Sequence, residues 1–185
     1  MKLSKLGMVA LALLAALAIP LQAAQTVHLT LKANGALIKG DSKETSLGRQ
    51  DTIMCTYYEH LMAAPTSTGM SNRGRTQYGP FVIRKLIDKS STSLIKAIME
   101  GQTLEGTFRF YRPNPNGDGT IQQFYTVQFD GGHIDSIKQY VPDTTDPKTA
   151  TLPPMEEVTI SYAKIAFAFA ESGTPKPSWS SPPSK

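Results

Sequence analysis

From Thr26 onward, apolar and polar residues alternate in short runs, and this period of two limits the fold more than any other feature of the sequence. The first run places Val27, Leu29 and Leu31 at every second position, with His28 among the polar residues between them. Successive side chains of a β-strand point to opposite faces, so we expect one apolar face, with His28 on the polar face. Glycine, proline, asparagine and aspartate separate the runs, as at Asn34 and Gly35. The pattern predicts a mainly β protein, an antiparallel sandwich or barrel.

The N-terminus has the features of a secretory leader. Lys2 and Lys5 precede an apolar run from Leu6 to Leu21, and the small residues Ala23 and Ala24 follow it. We expect a signal peptide over residues 1–24, with cleavage after Ala23 or Ala24. A single membrane anchor is the alternative, but the run is shorter than the roughly 20 residues that a bilayer span requires. We therefore expect a periplasmic or secreted protein without stable membrane insertion after cleavage.

The charge balance argues against a nucleic-acid partner. The 19 lysines and arginines include Lys2 and Lys5 of the leader, which leaves 17 against 15 acidic side chains. Nucleic-acid binding requires basic residues concentrated on one face, and here they are scattered. The densest group, which we expect to be a solvated loop, is Arg73, Arg75, Arg84 and Lys85.

The middle of the chain contains an unusually long segment without periodicity. The run from Thr52 to Leu61 predicts one long strand, and the spacing of Phe81, Ile83 and Lys85 predicts another. Between them, residues 62–79 are rich in Ala, Pro, Ser, Thr, Gly and Arg. Loops of this length inside a compact domain are often functional, so this loop is the first candidate for a partner contact.

One helix is predicted. Residues 88–91 supply capping groups, and the helix continues through Glu100 and ends at Gly101. Its apolar stripe, which we interpret as core packing rather than a partner groove, consists of Leu94, Ile95, Ile98 and Met99.

The second half of the sequence predicts a hairpin and further strands. Strands over residues 104–112 and 122–130 flank a turn whose strongest formers are Gly117, Asp118 and Gly119. A strand over residues 133–141 and a polar connection over residues 142–154 follow. The last strand covers residues 158–169, with a bulge near Ala163 and Lys164 that restores its phase. We expect one domain over residues 25–173 and a disordered tail rich in proline and serine over residues 174–185.

The residues do not indicate a catalytic, cofactor or metal site. Asn114, Asn116 and Asp118 imitate the start of a calcium loop, but Tyr125 stands where a bidentate glutamate would be required. Glu156 and Glu157 are adjacent, so a strand would place them on opposite faces, where we expect solvation or ion pairs. The single cysteine, Cys55, lies in an apolar run and is more easily understood as a buried thiol than as a nucleophile.

Several stretches of the chain, in order, resemble the Hcp family of type VI secretion proteins. They are Pro80–Ile83 with Ile87–Ser91 before the helix, Phe110–Pro115 with Gly117–Thr120 and Gln123–Val127 in the hairpin, and Pro154–Val158 with Tyr162, Lys164 and Ile165 near the last strand. The resemblance extends from about Thr26 to Gly173.

This resemblance implies a small β-barrel of two sheets with one flanking helix, and Asp88 and Lys89 belong to the motif before that helix. It also implies homo-hexameric rings that stack into a secreted tube, with a VgrG-like spike and small effector proteins as partners. By analogy the long loop reaches a neighbouring subunit, so Met62, Arg73, Arg75 and Tyr78 are the interface candidates.

Two other functions remain open. The chain could be a stand-alone periplasmic or extracellular binding module that has the fold without the tube, because tube subunits assemble in the cytoplasm whereas a leader directs export. It could also be an exported enzyme whose site is built from Asp, Glu and His residues distant in sequence.

Overall fold

The structure confirms the mainly β fold with one helix. The computed structural model describes residues 25–64 and 76–170, and the backbone alone of residues 176–181. The strands are β1 (Thr26–Ala33), β2 (Ala36–Ile38), β3 (Ile53–Cys55), β4 (Tyr57–Ala63), β5 (Gln77–Leu86), β6 (Leu104–Pro113), β7 (Ile121–Tyr140), β8 (Met155–Ser161), β9 (Lys164–Phe169) and β10 (Lys176–Ser181), and the helix is α1 (Ser90–Met99). All strand pairs are antiparallel. The sheet path has free ends at β2 and β4, so the barrel is not closed.

Strand β7 belongs to both halves of the barrel. Its first half pairs with β6 and β9, and its second half pairs with β8, which in turn pairs with β5 and β4. The two halves meet at Gly131 and Gly132. Gly131 has a φ of 64°, and a Cβ there would lie 2.7 Å from the Ala163 Cβ, so this position requires glycine. The prediction of two strands, over residues 122–130 and 133–141, was therefore wrong, because a bend replaces the expected break.

Two further segments pass from one sheet to the other. The strand predicted over residues 52–61 is divided at Thr56: β3 pairs with β1, and β4 pairs with β5. The bulge predicted near Ala163 and Lys164 is a second crossing, because β8 pairs with β5 whereas β9 pairs with the first half of β7. At each crossing the step between inward-facing residues is three instead of two, from Cys55 to Tyr58 and from Tyr162 to Ile165, while the alternation on either side continues, which is why the sequence predicts continuous strands.

The helix has the expected cap, and its buried face differs from the predicted apolar stripe at Met99. The Asp88 Oδ1 accepts a hydrogen bond from the Ser90 N–H at 2.9 Å, and the Asp88 N–H donates to the Ser91 Oγ at 3.0 Å. Lys89 precedes the helix and makes no side-chain cap hydrogen bond. Leu94 and Ala97 are buried, whereas Met99 is 81% exposed. Leu94 and Ile98 pack in or against the core, which confirms that part of the predicted stripe, but the inclusion of Met99 was wrong, because the helix packs on β7 and β2 through the side that bears Leu94 and Ala97.

The core confirms the apolar face predicted for β1. Leu29 and Leu31 are fully buried and pack in one cluster with Ile53, Phe81, Phe108 and Phe129. Cys55 lies in the same cluster, and burial raises the pKa of its thiol to about 12. The thiol is therefore protonated and unreactive at neutral pH, as expected.

His28 is buried, in contrast to the prediction that it lies on a polar face. The segment over residues 39–52 covers this part of the sheet. The His28 Nδ1 lies 2.8 Å from the Thr52 Oγ1, whose hydroxyl donates to the Arg49 carbonyl at 2.6 Å. The Arg49 guanidinium stacks over the Tyr111 ring at 5.1 Å. Burial, with the nearby charge of Arg49, lowers the pKa of His28 to about 4, so the imidazole is neutral at physiological pH.

The ends of the chain are described only in part. The predicted leader over residues 1–24 lies outside the described residues. Within the predicted disordered tail, Lys176–Ser181 forms β10 and pairs with β9. Backbone pairing with an outer strand requires neither apolar side chains nor the absence of proline, which explains this difference. In the part of the chain that the structure describes, no helix is long and apolar enough to cross a membrane.

Candidate assembly surface and its framework

The predicted loop over residues 62–79 is shorter in the structure. Met62 and Ala63 continue β4, and Gln77 through Gly79 begin β5. Ala63 pairs with Gln77, so the two strands form the base of a hairpin. The sequence hides this extension because Ala63, Gln77 and Gly79 are small or polar and interrupt the apolar alternation. Arg73 and Arg75, two of the four interface candidates, lie outside the described residues.

The free edge of β4 carries exposed apolar side chains. Met62 lies opposite Tyr78 in the strand register, and a bulge interrupts the pairing between His60 and Met62. Leu61 is 63% exposed and Met62 is 47% exposed, whereas Tyr78 is half-buried against the core. Among the described residues, β4 pairs with β5 alone. An unpaired strand edge with apolar side chains is suited to contact with another chain. Sequence reasoning missed Leu61.

An aromatic cluster supports this edge from inside the barrel. The His60 Nε2 lies 2.6 Å from the Tyr162 hydroxyl oxygen, and the His60 ring lies 4.6 Å from the Phe81 ring. Burial lowers the pKa of His60, and it raises the pKa of Tyr162 to about 12. Phe81 stacks on Tyr162 at 4.7 Å and contacts Phe108 and Phe129 in the core. We call His60, Phe81, Tyr162 and Phe167 the aromatic cluster.

A buried ionic cluster occupies the other end of β5. Lys85 is 1% exposed, and its Nζ donates to the Asp88 Oδ1 at 2.7 Å and to the Glu156 Oε1 at 2.8 Å. Ser91 donates to the same Glu156 oxygen, and Gln139 donates to the other, both at 2.8 Å. Burial alone raises the pKa of Asp88, but hydrogen bonds from Lys85 and Ser90 outweigh it and leave this pKa below its ordinary value. We call Lys85, Asp88, Ser91 and Glu156 the ionic cluster.

The ionic cluster corrects one prediction and confirms another. Arg84 and Lys85 lie in β5 rather than in a solvated loop, since the strand spacing of Phe81 and Ile83 continues inward to Lys85. Glu156 and Glu157 do point to opposite faces. Glu156 is buried against Lys85, whereas Glu157 accepts from Arg84 on the outer face at 2.8 Å. Both glutamates are in ion pairs, as expected.

The turn between β6 and β7 satisfies its own polar groups. Gly117 and Gly119 have φ angles of 71° and 75°. The Asp118 carboxylate accepts from the Thr120 N–H and from the Asn114 amide, each at 2.8 Å. Within residues 25–64 and 76–170, no group of three or more His, Cys, Asp or Glu side chains could hold a metal ion. Two of the three described histidines have separate partners, since His28 contacts Thr52 and His60 contacts Tyr162, and the third, His133, lies in β7.

The comparisons with known proteins agree with this architecture. The family model described as "Type VI secretion system effector, Hcp" matches residues 30–169. The chain is 30% identical over 138 residues to the "Major exported protein" of Pseudomonas aeruginosa, a match that covers 73% of this chain and 79% of that protein.

The chain belongs to the Hcp family. Solved Hcp structures share its fold. A crystal structure of an Hcp protein has a TM-score of 0.73 at 19% identity, covering 88% of this chain and 99% of the other. Hcp1 of E. coli EAEC 042 has a TM-score of 0.69 at 25% identity, covering 86% and 99% of the two chains. The chain is thus a secreted tube protein of the type VI secretion system, of a family with a structural role.

Proposed function

We propose that this Hcp chain assembles into hexameric rings that stack into a secreted tube, and that the free edge of β4 is one of the surfaces that join the subunits. The observation that carries the proposal is the exposure of Leu61 and Met62 on β4, whose second edge has no partner strand among the described residues. A head-to-tail ring requires two different surfaces on each subunit. Each copy contacts one neighbour through the first surface and the other neighbour through the second. The sixfold number comes from the family.

Met62, Tyr78, Arg73 and Arg75 remain the interface candidates within this proposal. Met62 would contact the neighbour directly, and Tyr78, its cross-strand partner on the same face, would support it by packing against the core. A VgrG-like spike and small effector proteins would be the further partners of the assembled tube, as the resemblance implies.

Light scattering and negative-stain imaging of residues 25–185 test this function. We expect rings from the parent chain. A Leu61→Lys variant should remain monomeric, because a lysine at the centre of an apolar contact must lose its hydration. Met99→Lys is the matched control, since Met99 is also exposed and apolar but lies on α1. Its rings should persist, and an Arg73→Glu, Arg75→Glu variant should have fewer rings. A parent that stays monomeric at high concentration would contradict the proposal.

The leader-like N-terminus favours one alternative, a stand-alone exported binding module with the same fold. This module would be monomeric or dimeric, and its leader would direct the chain to the periplasm. Mass spectrometry of the chain expressed with residues 1–24 shows whether the leader is removed. A processed monomer would support the module, and an unprocessed ring-forming chain would support the tube.

A further inference from the structure

A polar segment covers the outer face of β1 and β6. Its base is closed by backbone hydrogen bonds, since the Gly40 N–H donates to the Asp51 carbonyl at 2.9 Å and the Asp51 N–H donates to the Ser42 carbonyl at 3.0 Å. A Cβ at Gly40 would lie 2.3 Å from the Thr52 carbonyl oxygen, so the two sides of the base are in close contact. We call residues 43–50, the tip beyond this base, the cover. The tight base confines movement to the cover.

The cover is held in place by polar contacts. Leu47 is its only apolar side chain, and this side chain is 48% exposed. The Tyr111 hydroxyl donates to the Leu47 carbonyl at 2.8 Å, and the guanidinium of the buried Arg49 lies 5.1 Å from the centre of the Tyr111 ring. Segments with few buried apolar contacts are the first to open in a folded protein.

The closed cover also contains backbone strain. Leu47 has a φ of 56°, in the left-handed region that bulky residues rarely adopt. Such a conformation costs free energy, which is released when the cover opens. The polar contacts therefore decide whether the cover stays closed.

His28 lies under the cover and is 2% exposed. Its ring packs edge-on against Tyr111 at 5.4 Å, and the Tyr111 hydroxyl is neutral because burial raises its pKa. The Thr52 hydroxyl donates to the Arg49 carbonyl, so the 2.8 Å hydrogen bond between the His28 Nδ1 and the Thr52 Oγ1 is donated by His28. Protonation of the other ring nitrogen keeps this bond but adds a buried positive charge, which is costly without a partner.

The charges around His28 do not offset that cost. Arg49 on the cover is a cation, and so is Arg109, which lies opposite His28 on β6. On β3 the residue opposite His28 is Met54, which is uncharged. Glu44 is the carboxylate that favours a charged imidazole, but it is exposed and lies 3.4 Å from Arg49. An open cover gives the imidazole access to water and separates it from Arg49, so protonation is easier in the open state.

We infer that the cover opens reversibly in acidic solution, with His28 as the residue whose protonation favours the open state. The opening uncovers the outer face of β1 and β6, including Tyr111, which is 1% exposed when the cover is closed. Acid shifts the equilibrium because the open state binds the proton more tightly than the closed state. The cover and His28 belong to one subunit, so the inference does not rest on the proposed ring.

Limited proteolysis of residues 25–185 with trypsin tests the inference. The bond after Arg49 is cut only when the cover is open, because Arg49 is buried, and the cleavage rate follows the population of the open state. Mass spectrometry measures this rate at pH 7.5 and pH 5.5. Division by the rate for a free peptide of residues 43–52 corrects for the pH dependence of the protease. Burial lowers the pKa of His28 from 6.5 to about 4, so the corrected rate should rise about tenfold at pH 5.5.

Three variants separate the titrating group from the other contacts of the cover. His28→Asn keeps a donor for Thr52 but does not titrate, so its corrected rate should be the same at both pH values. Tyr111→Phe removes the hydrogen bond to the Leu47 carbonyl, so its rate should be several-fold higher at both pH values with the pH dependence retained. His60→Asn replaces a half-buried histidine of β4 and is the matched control, which should behave like the parent chain.

The outcomes distinguish local opening from general loosening. A corrected rate that does not rise at pH 5.5, or that rises equally in His28→Asn, would overturn the role of His28, and so would a response that is lost in His60→Asn. Cleavage after Lys138, which lies in β7, requires the sheet to open. A rise there that matches the rise after Arg49 would overturn the local opening, because the whole domain would then be loosened.

Discussion

The middle and the C-terminal end of strand β5 bury a large side chain in different ways. Phe81 and Lys85 both point into the barrel, four residues apart and both almost fully buried. In the middle of the strand, which we call its aromatic end, Phe81 packs within the aromatic cluster through many individually weak ring contacts. At the other end Lys85 is held by the ionic cluster, in which two carboxylates, a hydroxyl and a carbonyl surround one ammonium. A single substitution at the aromatic end should therefore lower the free energy of unfolding moderately, whereas the loss of one charge at the ionic end should lower it strongly.

The largest expected effect is at the ionic end. Glu156→Ala leaves Lys85 buried with half of its counter-charge, so the free energy of unfolding should fall by about 3–5 kcal/mol. Urea denaturation measures this change. Glu157→Ala, one residue away on the outer face, is the matched control and should cost less than about 1 kcal/mol.

A charge-free variant shows whether the loss comes from the unpaired charge. Lys85→Met combined with Glu156→Leu removes the Lys85–Glu156 pair, and Asp88→Asn in the same chain removes the remaining carboxylate, which would otherwise lose its Lys85 partner. This charge-free variant should be more stable than Glu156→Ala alone, since replacing a buried pair by apolar groups is often nearly neutral. A charge-free variant no more stable than the single one would show that packing, not charge, fixes this end.

An intermediate effect is expected at the aromatic end. Phe81→Leu keeps an apolar side chain but removes the ring contacts with His60 and Tyr162, so it should cost about 1–2 kcal/mol. The same denaturation series measures it. A loss as large as that of Glu156→Ala would remove the contrast between the two ends.

The smallest effect is a difference in pH dependence. The folded pKa of His60 is below its ordinary value of 6.5, so the unfolded chain takes up protons first and stability should fall as pH decreases from about 6.5. The folded pKa of Asp88 is below 3.8, so its contribution is present above that pH and is lost only as pH falls through the lower folded value. The two ends should therefore weaken in separate windows.

Unfolding free energies between pH 7.5 and 3 check this separation. The series uses a His28→Asn background, because His28 also titrates below 6.5. His60→Asn should flatten the profile between pH 6.5 and 5, and Asp88→Asn should flatten it below pH 4. A changed profile between pH 6.5 and 5 in Asp88→Asn, or an unchanged profile in that range in His60→Asn, would contradict the separation of the two pH ranges.

The sequence predicts which face a residue occupies better than whether that face is covered. The spacing of Phe81, Ile83 and Lys85 places Lys85 inside, although its charge suggests solvent. The period also places His28 correctly on the outer face of β1, but it cannot show that residues 39–52 fold over that face. Long-range packing determines both outcomes, and a local pattern contains no information about it.

The candidate assembly surface was also only partly predictable from the sequence. Met62 and Tyr78 became interface candidates because the family resemblance implies that the long loop reaches a neighbouring subunit, whereas their pairing across β4 and β5 was not predicted. The motif around Asp88 was recognised as a cap, whereas its contact with Lys85 and Glu156 requires the strand register.

The bend at Gly131 and Gly132 would have a mechanical consequence in the proposed tube. Because β7 continues through the bend as one strand, a force that separates the two sheets acts on a hydrogen-bonded strand and not on a flexible loop. To yield, the strand must slide past β6 and β9 in one half and past β8 in the other. The hydrogen bonds between antiparallel strands are perpendicular to the strand direction, so sliding strains many of them at the same time. The bend would therefore keep the two sheets together when an axial force acts on the subunit.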